Sequence, residues 1–460
     1  MRRRLLFAVA ASAVLAALAL SRAPIGTLPS SLRSARADTL KPRTLKRVED
    51  WVIVTGKDLG AIKGKHKDLV RLYASRAGQF LPIAYQIDER LPDGNFCFTD
   101  GSPEFLVKDT DRGLIDDNDE LCFMAKDAGD EASPNGLPAG HDVVQGIEVT
   151  DPATGETAWV YAVTFDAPPP RSTKRYSWLE KGAENSISWF GERFSSDNAR
   201  STWNACRLTS LRFAKPEDEV PDYSKSGSVI DCSKVTLRLK KWFKSLQWDS
   251  TDFYVKIGGY CNGPVRTIVQ SLMEFDVAFG FKIRAKDSYI VMYATASTMP
   301  TNCDNPVDIS DSPGESWYKL LMDLDSKNCK GWKFYNNWNK TPVDIDGKMS
   351  DAENKLDKKW PDYNCVFGPE GAIISRFVLP KEVVRDTNEL YYSDDLNAIE
   401  PPEFQPGNFG TFGYKLDLSG VKAGLYTGDY VIFYVAAPFA QGDERKFLDI
   451  VDKPLVAKAR

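Results

Sequence analysis

Residues 109–120 read DTDRGLIDDNDE, and six of the twelve are carboxylates. Acids this crowded repel one another unless water or a cation neutralises them. A hard divalent cation does so with oxygen ligands taken from alternating loop positions. Asp109, Asp111, Asp117 and Glu120 fall at the first, third, ninth and twelfth places of an EF-hand-like spacing. They form a candidate calcium site. The spacing is imperfect, because Gly113 comes one place early and Leu114 stands where that loop needs glycine. The flanks, EFLVK and ELCFMAK, alternate or run apolar in the manner of strands. The expectation is a calcium loop between β elements, and the alternative is a solvated acidic turn.

A second group of residues has the chemistry of sugar recognition. Trp332, Phe334, Tyr335 and Trp338 lie among Asn336, Asn337 and Asn339. Flat rings suit the C–H face of a sugar and amides bond its hydroxyls, so Trp332, Asn336 and Trp338 are candidate ligand residues. Buried aromatics at a strand end would read the same way. Arg266 follows the turn-like run Gly263 to Val265, and its planar fork suits a carboxylated sugar, or else a core-edge acid. Asp344, Asp346, Asp351 and Glu353 admit a second calcium loop or an acidic helix start. No G-x-S-x-G, H-E-x-x-H or phosphate-cradling glycine loop occurs. His66 and His141 are the only histidines and leave few ligands for zinc. An enzyme here would work with acids, arginines and tyrosines. A polysaccharide lyase would draw on Tyr260, Arg266, Tyr293 and the Trp332 loop to remove and stabilise a proton next to a uronate carboxylate.

The elements that must carry these residues are mostly strands. Runs at 51–56, 69–74, 81–87, 121–125, 143–149 and 158–165 are short, apolar and punctuated by Gly, Pro, Asp and Asn. They predict an N-terminal β-sandwich over 38–166. Ala167 to Arg175, with three consecutive prolines, is the linker candidate. Residues 176–460 predict a larger β-sandwich or supersandwich, with long strands across 264–297 and further ones at 371–379, 411–418 and 426–438. Helical signals are few and short: 237–248, 315–324 and 350–360. The last has Ser350 and Glu353 spaced as a capping box.

The chain opens on three arginines and a 16-residue apolar run, Leu5 to Leu20, with Ala35-Arg36-Ala37 as an A-x-A site. This predicts a signal peptide over 1–37 and export to the periplasm or cell exterior. No other stretch is long and apolar enough to span a bilayer. Eight cysteines in an exported chain predict disulfides. Neighbour pairing would join Cys97–Cys122, Cys206–Cys232 and Cys303–Cys329, leaving Cys261 with Cys365. A net charge of −5 without a long basic run argues against a nucleic-acid partner.

The order FLPIAYQIDE, acidic loop, DELCFMAKDAGD, then NGPVRTIVQS (262–271), then GDYVIFYVAAPFAQGDE resembles secreted bacterial mutarotase-like β-supersandwich proteins. The resemblance implies a fold more than a function: a supersandwich behind a smaller sandwich. The first functional expectation is an exported calcium-binding protein that binds a glycan or other envelope polymer. A polysaccharide lyase and a non-catalytic accessory subunit of an envelope assembly are the alternatives.

Overall fold

The computed structural model describes residues 39–460, apart from 108, 112, 182–186, 199–207, 242–243, 253, 279–280, 306–307 and 310–313. The predicted signal segment and Cys206 lie outside the described residues. The fold is mainly β, with six sheets among the described residues. Two α-helices, Asp351–Asn354 and Glu444–Asp452, occur among the described residues.

A ten-stranded antiparallel sheet organises the molecule. Its order runs from Val343–Asp344 and Lys333–Asn336 through Asn364–Gly368, Gly371–Val378, Gly424–Ala436, Ala296–Asn305, Phe281–Met292 and Thr267–Ala278 to Tyr254–Asn262 and Asp100–Gly101. Successive side chains of a strand face opposite sides, and here both sides are covered. Ile373, Ile432, Tyr434, Ile290 and Met292 face one core. That core is shared with a four-stranded sheet (Trp178–Lys181 to Leu208–Phe213) and with a five-stranded sheet. Val431, Phe433, Val435 and Ile374 face the other side and pack on Phe447, Leu448 and Ile450 of the C-terminal helix. Tyr289, Val291 and Tyr293 on that same side meet Phe96, Phe98, Cys122 and Met124 of the N-terminal lobe.

The N-terminal lobe is a sandwich of a five-stranded and a three-stranded sheet. Val52, Val54, Leu121 and Phe123 pack there against Val70, Leu72, Val160 and Ala162. Its boundary with the rest is crossed twice. Asp100–Gly101 adds an edge strand to the ten-stranded sheet, and Val456–Ala459 returns to pair with His141–Thr150. The segment 167–175 is strapped down at its ends, where Arg71 donates to the Pro169 carbonyl and Arg175 to that of Asn262.

Two expected helices are strands. Residues 237–241 and 244–248 belong to Ile230–Lys241 and Lys244–Asp249, paired with each other. The run V-T-L-R-L-K has period two, and Val235, Leu237 and Leu239 share one small core. Residues 315–324 form Trp317–Leu324, hydrogen-bonded on both sides to Ile230–Lys241 and Asn408–Asp417. Pairing on two edges outweighs a weak helical pattern. The third expectation holds in a shorter form. Ser350 and Glu353 make the capping box, but the helix spans only Asp351–Asn354.

Candidate functional site

The junction between the lobes is built on Arg266, which is 2% exposed. Its Nε and Nη2 lie 2.8 and 2.7 Å from Asp88 Oδ2, and Nη2 also reaches Glu120. Gln86 Oε1 accepts the backbone N–H of Val265 and Arg266 at 3.0 and 2.9 Å. Gln86 Nε2 donates to both oxygens of Asp88 at 2.8 and 2.9 Å. Gly263 is glycine because a Cβ there would fall 2.2 Å from Gln86 Oε1. Tyr293 closes the other side, stacked on Trp51 with centroids 3.9 Å apart. Burial alone would raise the Glu120 carboxyl pKa, but Arg266 and Arg90 outweigh it and hold the group below its ordinary value. Arg266 thus takes the core-edge reading, and its guanidinium is committed to protein carboxylates.

The acidic loop lies beside this junction, but its ligand set differs from the spacing. The carboxylate oxygens of Asp109, Asp111 and Asp116 lie within 4.8 Å of one another. Asp117 instead pairs with Lys63, and Glu120 with Arg90 and Arg266. Strand Glu120–Met124 begins at Glu120 and turns its side chain toward the junction. The turn is closed by Asp111 Oδ1, which accepts the Gly113 N–H at 3.0 Å, with Gly113 at φ +83°. A side chain at Gly113 would press on His66 Nε2 and Glu89 Oε1. Asp109 Oδ2 and Asp111 Oδ2 are buried atoms without a hydrogen-bond partner among the described residues. Burial, ahead of the neighbouring acids, raises the pKa of Asp111. Such oxygens suit a hard cation. A second acidic group, Asp231, Asp323 and Glu403, already holds a protein cation. Lys234 lies 2.6 Å from Asp323 and 2.9 Å from Glu403 and is fully buried.

The aromatic and amide cluster is corrected by burial. Trp332 and Asn336 are both 0% exposed. Trp332 Nε1 donates to Glu370 at 3.0 Å. Asn336 Oδ1 accepts the N–H of Trp338 and Asn339, which makes it a turn residue. Trp338, 49% exposed, is the ring of this cluster that reaches the surface, beside the half-buried Asn337 and Asn339. The acids near Asp344 also have structural partners. Asp344 pairs with Lys333. Buried Asp394 accepts the N–H of Asp346, Gly347 and Gly410. The residues proposed for a lyase do not converge on an open cleft, since Arg266, Tyr293 and Trp332 are all buried.

The cysteine pairing is likewise corrected. Cys97, Cys122, Cys232, Cys261, Cys329 and Cys365 are thiols. Cys122 packs with Val265 and Met124, whereas Cys97 lines the junction cleft with Cys261, whose thiol lies 3.3 Å from the Cys97 carbonyl. Cys365 lies elsewhere, in the core under the C-terminal helix. Short loop closure does not decide these positions; sheet packing does.

One open groove was missed by the sequence reading. It measures about 320 Å³ and lies on the outer five-stranded sheet. Trp317 and Lys319, Lys415, and Glu389 and Tyr391 come from three adjacent strands, and Lys358 comes from the segment after the capped helix. Lys319 Nζ sits 4.6 Å from the Trp317 ring and 4.8 Å from that of Tyr391. The signal lies in WYK and ELYY as alternating aromatic and charged residues, masked at 315–324 by a weak helical pattern.

No protein-family model and no curated protein matches the chain. Among solved structures, it is similar to an alpha-mannosidase from Enterococcus faecalis V583, with TM-score 0.45 and 10% identity over 92% of this chain and 45% of that one. It is also similar to a protein in glycosyl hydrolase family 38 from Enterococcus faecalis, with TM-score 0.43 and 9% identity over 94% of this chain and 48% of that one. The chain spans about half the length of each of these structures.

Proposed function

We propose that this is an exported, calcium-stabilised protein that binds a glycan of the cell envelope or its surroundings. The observation that carries the reading is the groove lined by Trp317, Tyr391, Glu389 and three lysines on a rigid sheet. Rings beside carboxylate and ammonium groups offer an apolar surface and hydrogen-bond partners for hydroxyls, the combination that sugars require. Asp109, Asp111 and Asp116 would hold the calcium ion, which would stiffen the loop beside the junction between the lobes. Export rests on the N-terminal Arg and Leu/Ala pattern, with cleavage after Ala37.

A glycan array probed with and without calcium tests the reading. Binding to one saccharide class, lost in Trp317→Ala/Tyr391→Ala, is the expected result. No binding to any saccharide under either condition would overturn it. N-terminal sequencing of the exported protein should begin at Asp38.

A further inference from the structure

The groove is built around an unbalanced charge. Lys319 and Lys415 stand directly opposite each other on neighbouring strands. Like charges in that register repel. Each is therefore held by its own carboxylate, Lys319 by Glu400 at 2.7 Å and Lys415 by Glu389 at 2.6 Å. Lys358 is the third cation and has no ion-pair partner among the described residues. Its ammonium lies 5.9 Å from the centroid of the Tyr392 ring. Lys358 is exposed as a whole residue, but desolvation by the protein around its ammonium, ahead of the opposing attraction of Glu389, lowers its pKa. An ammonium so placed gains from an anion that enters the groove.

We propose that the groove binds an acidic saccharide, a chain whose sugar units carry carboxylates, with Lys358 as the residue that takes the carboxylate. This rests on the glycan-binding reading above and narrows its ligand. The neighbouring groups favour a sugar over other polyanions. Glu389 and Glu400 repel a phosphate-dense polymer such as nucleic acid, whereas the hydroxyls of a sugar donate to carboxylates. Trp317 and Tyr391 add ring surface for the C–H face of the same unit. The site therefore selects a ligand in which carboxylates are sparse and hydroxyls are many.

The test is calorimetric titration of the full chain with tetragalacturonate and tetraglucuronate, each beside its own methyl ester. The ester keeps the backbone and removes the charge. The expected result is that at least one acid binds about tenfold or more tightly than its ester, the range of one charge-assisted hydrogen bond. Lys358→Gln should remove that preference, bringing acid and ester to comparable affinity. Lys358→Gln should also melt close to the wild type, since it breaks no ion pair among the described residues. Lys415→Gln provides a second variant and should weaken the acid less. Equal binding of acid and ester, or a preference that survives Lys358→Gln, overturns the proposal and leaves glycan binding standing. Failure of acid and ester alike overturns both readings at this groove. Binding of a DNA duplex as tightly as the uronates, through Lys358, also overturns it.

Discussion

Arg266 Nη2 lies 2.7 Å from Asp88 Oδ2, joining two buried groups that are 178 residues apart in the chain. The same nitrogen reaches Glu120, so one guanidinium neutralises two carboxylates of the N-terminal lobe. The ten-stranded sheet supplies the cation and the small sandwich supplies the anions. The lobes are thereby fixed in one relative position, because any shift would strand charges away from water.

Removing the cation should therefore cost more than the pair contributes. Arg266→Met leaves Asp88 buried without a cation and Glu120 with Arg90 alone, and should destabilise the fold by about 3–5 kcal/mol. Neutralising the acids as well, in Arg266→Met/Asp88→Asn/Glu120→Gln, should recover a large part of the loss. Urea unfolding of the three proteins measures both. A loss within about 1 kcal/mol for Arg266→Met, the range of an exposed ion pair, would remove Arg266 from this role.

Glu120 gives the junction an acid-side pH dependence. Its folded carboxyl pKa lies below the ordinary value because Arg266 and Arg90 outweigh burial. The stabilisation is then complete above the unfolded-chain pKa of about 4.3, and is lost as pH falls through the folded value. Glu120→Gln should accordingly be less stable than the wild type at pH 7. The gap should narrow as pH falls below about 4. Thermal unfolding from pH 7 to pH 3 follows it. A gap that stays constant across that range would show that the charge of Glu120 is not what matters.

The acidic loop distinguishes spacing from geometry. Calcium that binds only the folded chain stabilises it by about 2.7 kcal/mol at a hundredfold excess over Kd. Chelation should lower the melting temperature of the wild type. Asp111→Asn should abolish that response, because its unpartnered oxygen faces Asp109 and Asp116. Asp117→Asn should keep the response, because Asp117 is paired with Lys63 instead. Calorimetry in millimolar calcium and in chelator compares the three proteins. A wild type that melts alike in both conditions makes the loop a solvated acidic turn.

The sequence by itself determined the class of the fold and many of its parts. Alternating and β-branched runs at 51–56, 143–149 and 158–165 became strands because a period of two places one face in a core wherever the strand lands. Ser350 and Glu353 made their capping box because that contact is local. The acidic loop was legible as a cluster, since six carboxylates in twelve residues stay close in any fold. What the local pattern lacked was partners. Whether Asp117 or Asp116 joins Asp109 depends on Lys63, and the direction of Glu120 depends on Arg266, 146 residues away. Trp332 looked like a sugar platform until a second sheet covered it. Trp317–Leu324 became a strand because two distant strands hydrogen-bonded to it, and that pairing created the groove. Sequence sets the period, charge and turn chemistry of a segment. Burial and ion pairing are set by residues far along the chain, so tertiary structure alone decided which acids, rings and lysines were left to meet a ligand.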